Sequence, residues 1–102
     1  MSVRLAPVSH RKRVDGRTKQ ARRVQTLIAG YREHLADAYG IDLDHDVAMR
    51  ATVLRLSELE CLTEGMRARA LRGEPVDLTV LTRLEGLIKR LRKSIGLDSP
   101  PV

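Results

Sequence analysis

The chain has no tryptophan, no phenylalanine and only two tyrosines, Tyr31 and Tyr39. Its core must therefore be aliphatic. Almost no aromatic is left over to stack on single-stranded bases, and the spacing of both tyrosines places them on an apolar helix face. One cysteine, Cys61, rules out an internal disulfide and fits a reducing compartment. It lies on an apolar stripe and reads as a small core residue. No apolar run approaches the roughly 18–20 residues that span a bilayer, so no membrane role is expected. The basic start lacks the apolar stretch of a signal peptide. There is no P-loop and no dinucleotide-binding glycine pattern. His10, His34 and His45 form no ligand spacing with Cys61, and no nucleophile–base–acid set is evident. The sequence thus predicts a non-enzyme without cofactor or metal.

What is present is charge, unevenly placed. The net charge is +6 over 102 residues. Arg4, Arg11, Lys12, Arg13, Arg17, Lys19, Arg22 and Arg23 crowd the start against Asp15 alone, and the rest of the chain is close to neutral. A near-neutral body with a strongly basic leader favours a polyanionic partner. Residues 1–23 read as a flexible basic arm running into the start of a first helix. Residues 24–97 read as a helical oligomerisation domain, and residues 98–102 as a disordered tail.

The body is predicted to be all-α, with three helices. The first begins near Arg17 or Thr18, carries Val24, Leu27, Ile28, Tyr31, Leu35 and Tyr39 on one face, and ends at Gly40. Asp42, Asp44 and Asp46 resemble the opening of a calcium loop, but Val47 stands where its glycine belongs. These acids are expected to cap the next helix instead. That second helix is predicted from about His45 to Leu71, and the third from Leu78 to about Ile95.

The last two helices, within residues 45–95, are predicted to form an antiparallel hairpin. Leu81, Leu84, Ile88, Leu91 and Ile95 are spaced 3, 4, 3, 4, the seam along which one helix lies on another. Reading back from the bend, Met66 pairs with Leu84, Leu62 with Ile88, Leu59 with Leu91 and Leu71 with Leu78. Gly73 suits a left-handed cap, Pro75 stops the helix and Asp77 caps the next. A second stripe of Val47, Leu54, Cys61 and Gly65 faces elsewhere, toward the first helix or another subunit. Gly30, Gly65 and Gly86 each cost about 1 kcal/mol inside a helix, which suggests close helix approach.

Two passages carry a resemblance. Asp15-Gly16-Arg17-Thr18 leads through Ala21-Arg22-Arg23 into an apolar helix. Arg72-Gly73-Glu74-Pro75-Val76-Asp77 leads into Leu81, Leu84, Leu87 and Leu91 and closes on Gly96-Leu97. Together they resemble the small terminase subunits of tailed bacteriophages and gene transfer agents. That resemblance implies a DNA-packaging component of the bacterial host cytoplasm that assembles into a ring. Such a subunit engages double-stranded DNA and brings it to the large terminase subunit. Carried onto this chain, it implies DNA contact by Arg11, Lys12, Arg13, Arg17, Lys19, Arg22 and Arg23. It implies hairpin and oligomer contacts by Leu54, Leu59, Leu62, Met66, Leu81, Leu84, Ile88, Leu91 and Ile95. Many members begin with a complete helix-turn-helix unit, which about 23 residues of arm plus one helix cannot build. Phosphate contact is therefore expected over base readout. A small transcriptional regulator or a helical protein–protein adaptor are the alternative readings.

Overall fold

A computed structural model describes residues 18–97. Among them are three α-helices and no strand: α1 (Lys19–Tyr39), α2 (Val47–Leu71) and α3 (Leu78–Ser94). A single 3-10 turn, Leu43–His45, separates α1 from α2.

Each helix starts and stops on local chemistry. The Thr18 hydroxyl accepts from the Ala21 N–H at 3.0 Å, and α1 ends at Gly40 with φ +66°. Asp46 accepts from the Met49 N–H at 2.9 Å and opens α2. The α2 start thus falls two residues after His45, because Asp42 accepts from the Asp44 N–H and winds residues 43–45 into the 3-10 turn. At the far end, the Glu74 N–H donates to the Arg69 carbonyl and the Gly73 N–H to the Ala70 carbonyl, both at 3.0 Å. Gly73 sits at φ +80°, the left-handed cap that an L side chain resists. Asp77 then accepts from Thr79 and Val80 and opens α3.

The core gathers all three helices. Tyr31 and Leu35 of α1 meet Leu43, Val53 and Leu56, and then Ile88, Ile95 and Leu97. Ile28, Ile41, Met49, Leu59 and Leu91 pack against that cluster. The chain turns back after α3 in the same way as after α2. The Leu97 N–H donates to the Arg92 carbonyl at 2.8 Å, which tucks the Leu97 side chain inside.

Several expectations about single residues are corrected. Tyr31 is fully buried as the spacing implied, but Tyr39 is 53% exposed. Its hydroxyl donates to the Gly96 carbonyl, so the ring lies across the turn that follows α3 instead of entering the core. Leu62 is 51% exposed and Leu71 89% exposed, and Leu78 is also in water. The surroundings of Ile88 instead include Glu60 and Thr63. The cause is a rotation of α2. Arg67 pairs with Glu85 at 2.7 Å and Arg92 with Glu60 at 3.6 Å, which brings a polar row of α2 beside α3.

Nor are Gly65 and Gly86 set by packing among the described residues. A Cβ on Gly65 would meet nothing within 4 Å, and one on Gly86 only the end of the Arg90 side chain at 3.6 Å. Cys61 is half-buried, outside the core cluster, with Sγ 3.8 Å from the Gln20 carbonyl.

Candidate functional site

Of the residues expected to touch DNA, Arg11, Lys12, Arg13 and Arg17 lie outside the described residues. Lys19, Arg22 and Arg23 occupy the first turns of α1, and all three are exposed. No acid stands in the first turn of that helix. This is the end where unsatisfied N–H groups concentrate positive charge, so cations there oppose the helix dipole. At α3 the arrangement is favourable, with Arg92 and Lys93 in the last turn.

Arg23 is already engaged. Its Nε and Nη2 donate to the two carboxylate oxygens of Glu64 on α2, at 2.9 and 2.7 Å. That bidentate bond holds the Glu64 carboxyl below its ordinary pKa and raises that of the Arg23 guanidinium. Both side chains are more than one-third exposed, so the pair adds only about 0–1 kcal/mol.

Between the first turns of α1 and the last turns of α2 lies an open groove of about 690 Å³. Val24, Cys61, Leu62 and Gly65 contribute its apolar wall, and Lys19, Arg69 and Arg72 its cationic edge. Burial, and next the nearby Glu64 charge, push the Cys61 thiol above its ordinary pKa. The thiol is held protonated, the wrong state for a nucleophile.

The residues expected at hairpin and oligomer contacts divide in two. Met66, Leu81, Ile88 and Ile95 are buried. Leu59 and Leu91 pack on the core and Leu84 is half-buried. Leu54 and Leu62 remain partly in water, Leu62 on the wall of the groove.

The sequence pattern missed one polar constellation that ties the three helices together. The Tyr31 hydroxyl of α1 donates to Glu60 Oε2 of α2, while Arg92 of α3 faces Glu60 Oε1. The Thr63 hydroxyl donates to the Glu60 carbonyl at 3.0 Å, and Ser57 and Thr63 are fully buried on the same helix. Desolvation, then the bond to Glu60, raises the Tyr31 pKa well above the ordinary phenol value. The consequence is alkaline sensitivity. Below about pH 10 Tyr31 is protonated in both folded and unfolded chains, and its contribution to stability is fully present. Above that, unfolded chains release the proton and folded ones hold it, so stability falls as pH rises. Tyr31→Phe is expected to flatten the fall between pH 9 and pH 11, as measured by urea unfolding at each pH.

The acidic loop acts structurally, as its failed calcium pattern implied. Asp42 bonds the Asp44 N–H and faces His45 Nδ1 at 2.7 Å, and Arg32 pairs with Asp44 at 2.8 Å. Among the described residues no group of three or more His, Cys, Asp or Glu could hold a metal ion. No helix among them is long and apolar enough to cross a membrane. Comparison with protein-family models, with curated proteins and with solved structures finds no match for this chain.

Proposed function

We propose that the protein is a non-catalytic DNA-packaging component of the small-terminase kind, working in the cytoplasm of a bacterial host. It self-associates, holds double-stranded DNA through its basic leader and the first turns of α1, and delivers it to the large terminase subunit. The observation that carries this reading is the placement of Lys19, Arg22 and Arg23 at the positive end of α1. Cations there oppose the helix dipole. Continuous with Arg11, Lys12, Arg13 and Arg17, they are suited to phosphates, with little sequence preference.

In this reading α2 and α3 form an antiparallel helical hairpin, the unit of assembly. The ion pairs Arg67–Glu85 and Glu60–Arg92 support it, since residue numbers rise along α3 as they fall along α2. Self-association would cover Leu71, Leu78 and Val80, which a single chain leaves in water near the bend. A ring gathers many weak basic leaders, so their effective concentration holds DNA that one chain would release.

Light scattering on the purified chain, followed by co-sedimentation with duplex DNA, tests both halves. A closed multi-subunit assembly that retains duplexes of unrelated sequence is expected. A strictly single chain at high concentration, or no DNA retention at low salt, overturns the reading. A sharper outcome concerns Arg23. Glu64→Gln is expected to free its guanidinium for a phosphate, steepening the log–log salt dependence of DNA binding by about one. An unchanged slope removes Arg23 from the interface. A second reading, a helical protein–protein adaptor, draws on the groove between α1 and α2.

A further inference from the structure

We propose that the groove between α1 and α2 receives an amphipathic helix of a partner protein, apolar on one face and flanked by carboxylates. The wall and edge of the groove differ in kind. Val24, Cys61, Leu62 and Gly65 offer apolar surface, while Lys19, Arg69 and Arg72 ring it with positive charge, with Glu58 the one acid among the lining residues and Glu64 beside it paired to Arg23. Arg72 shares its charge with Glu74 at 2.7 Å, whereas Lys19 and Arg69 have no ion-pair partner among the described residues. The α2 residues on the groove run from Glu58 to Arg72, about 21 Å at 1.5 Å per residue. That is a seat for roughly four helical turns, engaged through anchors at i, i+3, i+4 and i+7.

Gly65 supplies an independent argument. Inside a helix it costs about 1 kcal/mol against alanine. The described residues give no reason for that cost, since among them a Cβ would meet nothing within 4 Å. The bare backbone lets another helix approach closely at the middle of the groove. Half-exposed Leu62 beside it is then covered.

Other occupants fit less well. A phosphate backbone has no apolar surface to lay on Val24 and Leu62. The chain's own leader would bring Arg11, Lys12 and Arg13 against a cationic edge. A second copy docking through its exposed Leu71 brings Arg69 and Arg72 with it, again like against like.

The test uses the full chain, isotope-labelled, and two synthetic helical peptides with identical leucine faces, one flanked by glutamates and the other by lysines. The glutamate peptide is expected to bind saturably, to shift the amides of Val24, Cys61 and Gly65, and to slow reaction of the Cys61 thiol with a disulfide reagent about tenfold. The lysine peptide is expected to bind at least tenfold more weakly. Arg69→Glu should weaken the glutamate peptide about tenfold. Gly65→Leu should block it while circular dichroism stays helical. Equal binding of the two peptides, shifts centred elsewhere, or a DNA duplex that alone moves the groove amides would overturn the proposal. So would a drop in assembly mass with Gly65→Leu, which would assign the groove to a second copy. These readouts are made on the chain whether or not it forms a ring or retains DNA, so the two readings fail separately.

Discussion

Replacing Glu60 with alanine is expected to lower folding stability by about 1–3 kcal/mol, the cost of leaving a buried hydroxyl and a largely buried guanidinium without their acceptor. The Glu60 side chain is 13% exposed and that of Arg92 16%, so water cannot easily replace the carboxylate. The Tyr31 hydroxyl, fully buried, would lose its acceptor in the same step. Arg92 is poorly placed to absorb the loss, because its Nε is already buried without a partner. A domain of this size has only about 5–15 kcal/mol in total, so the variant should melt well below the parent. Glu60→Gln keeps an acceptor for Tyr31 and should lose less. The paired change Glu60→Leu with Arg92→Met removes both charges and should be close to neutral, since buried pairs rarely beat well-packed apolar replacements. Urea unfolding of the three variants checks the ranking. A loss under 1 kcal/mol for Glu60→Ala would mean the three helices are joined by their aliphatic contacts alone.

Reversing charge in the basic leader is expected to have the largest effect on DNA. If about five phosphates are neutralised, the log–log slope with salt is near −4.5, and affinity falls about 500-fold from 50 to 200 mM salt. Changing Arg11, Arg13 and Arg22 to glutamate should remove most retention at physiological salt. Arg23 is best left intact in that variant, because losing it would also break its bidentate bond with Glu64. Fluorescence anisotropy with duplexes of several sequences, over a salt series, measures the slope and the lack of preference together. A flat salt response would assign the leader to solubility alone.

The helices and their ends were legible in the sequence because each boundary is decided within a few residues. Thr18, Gly40, Gly73, Asp77 and Gly96 all act locally and mark the ends they were expected to mark, while Asp46 caps α2 two residues later than its expected start at His45. Burial of Tyr31 followed from its spacing in the same way. The rotation of α2 did not, because leucine spacing alone cannot see Glu60 and Arg67 meeting Arg92 and Glu85 across two helices. Leucine periodicity therefore put Leu62 and Leu71 inside, whereas both are exposed. Glu60 itself looks like any surface acid until α1 and α3 arrive on either side of it. Tyr39 misled for a related reason: the apolar face of α1 continues past the point where there is core left to meet it. The groove was legible only in part: Cys61 and Gly65 lie on the second stripe of α2, but their meeting with Lys19 and Val24, about forty positions away, has no local signature.

The anchoring of Gly96 and Leu97 has a practical consequence. Leu97 is sealed in the core and Gly96 is held by Tyr39, at the opposite end of α1 from Lys19. Over its 21 residues α1 separates those two points by about 32 Å. A fluorophore, affinity handle or sensor-chip linkage appended beyond Leu97 therefore starts at the pole remote from the cationic turn. Immobilisation from that side leaves the turn facing bulk solution, whereas a fusion ahead of Thr18 would crowd it.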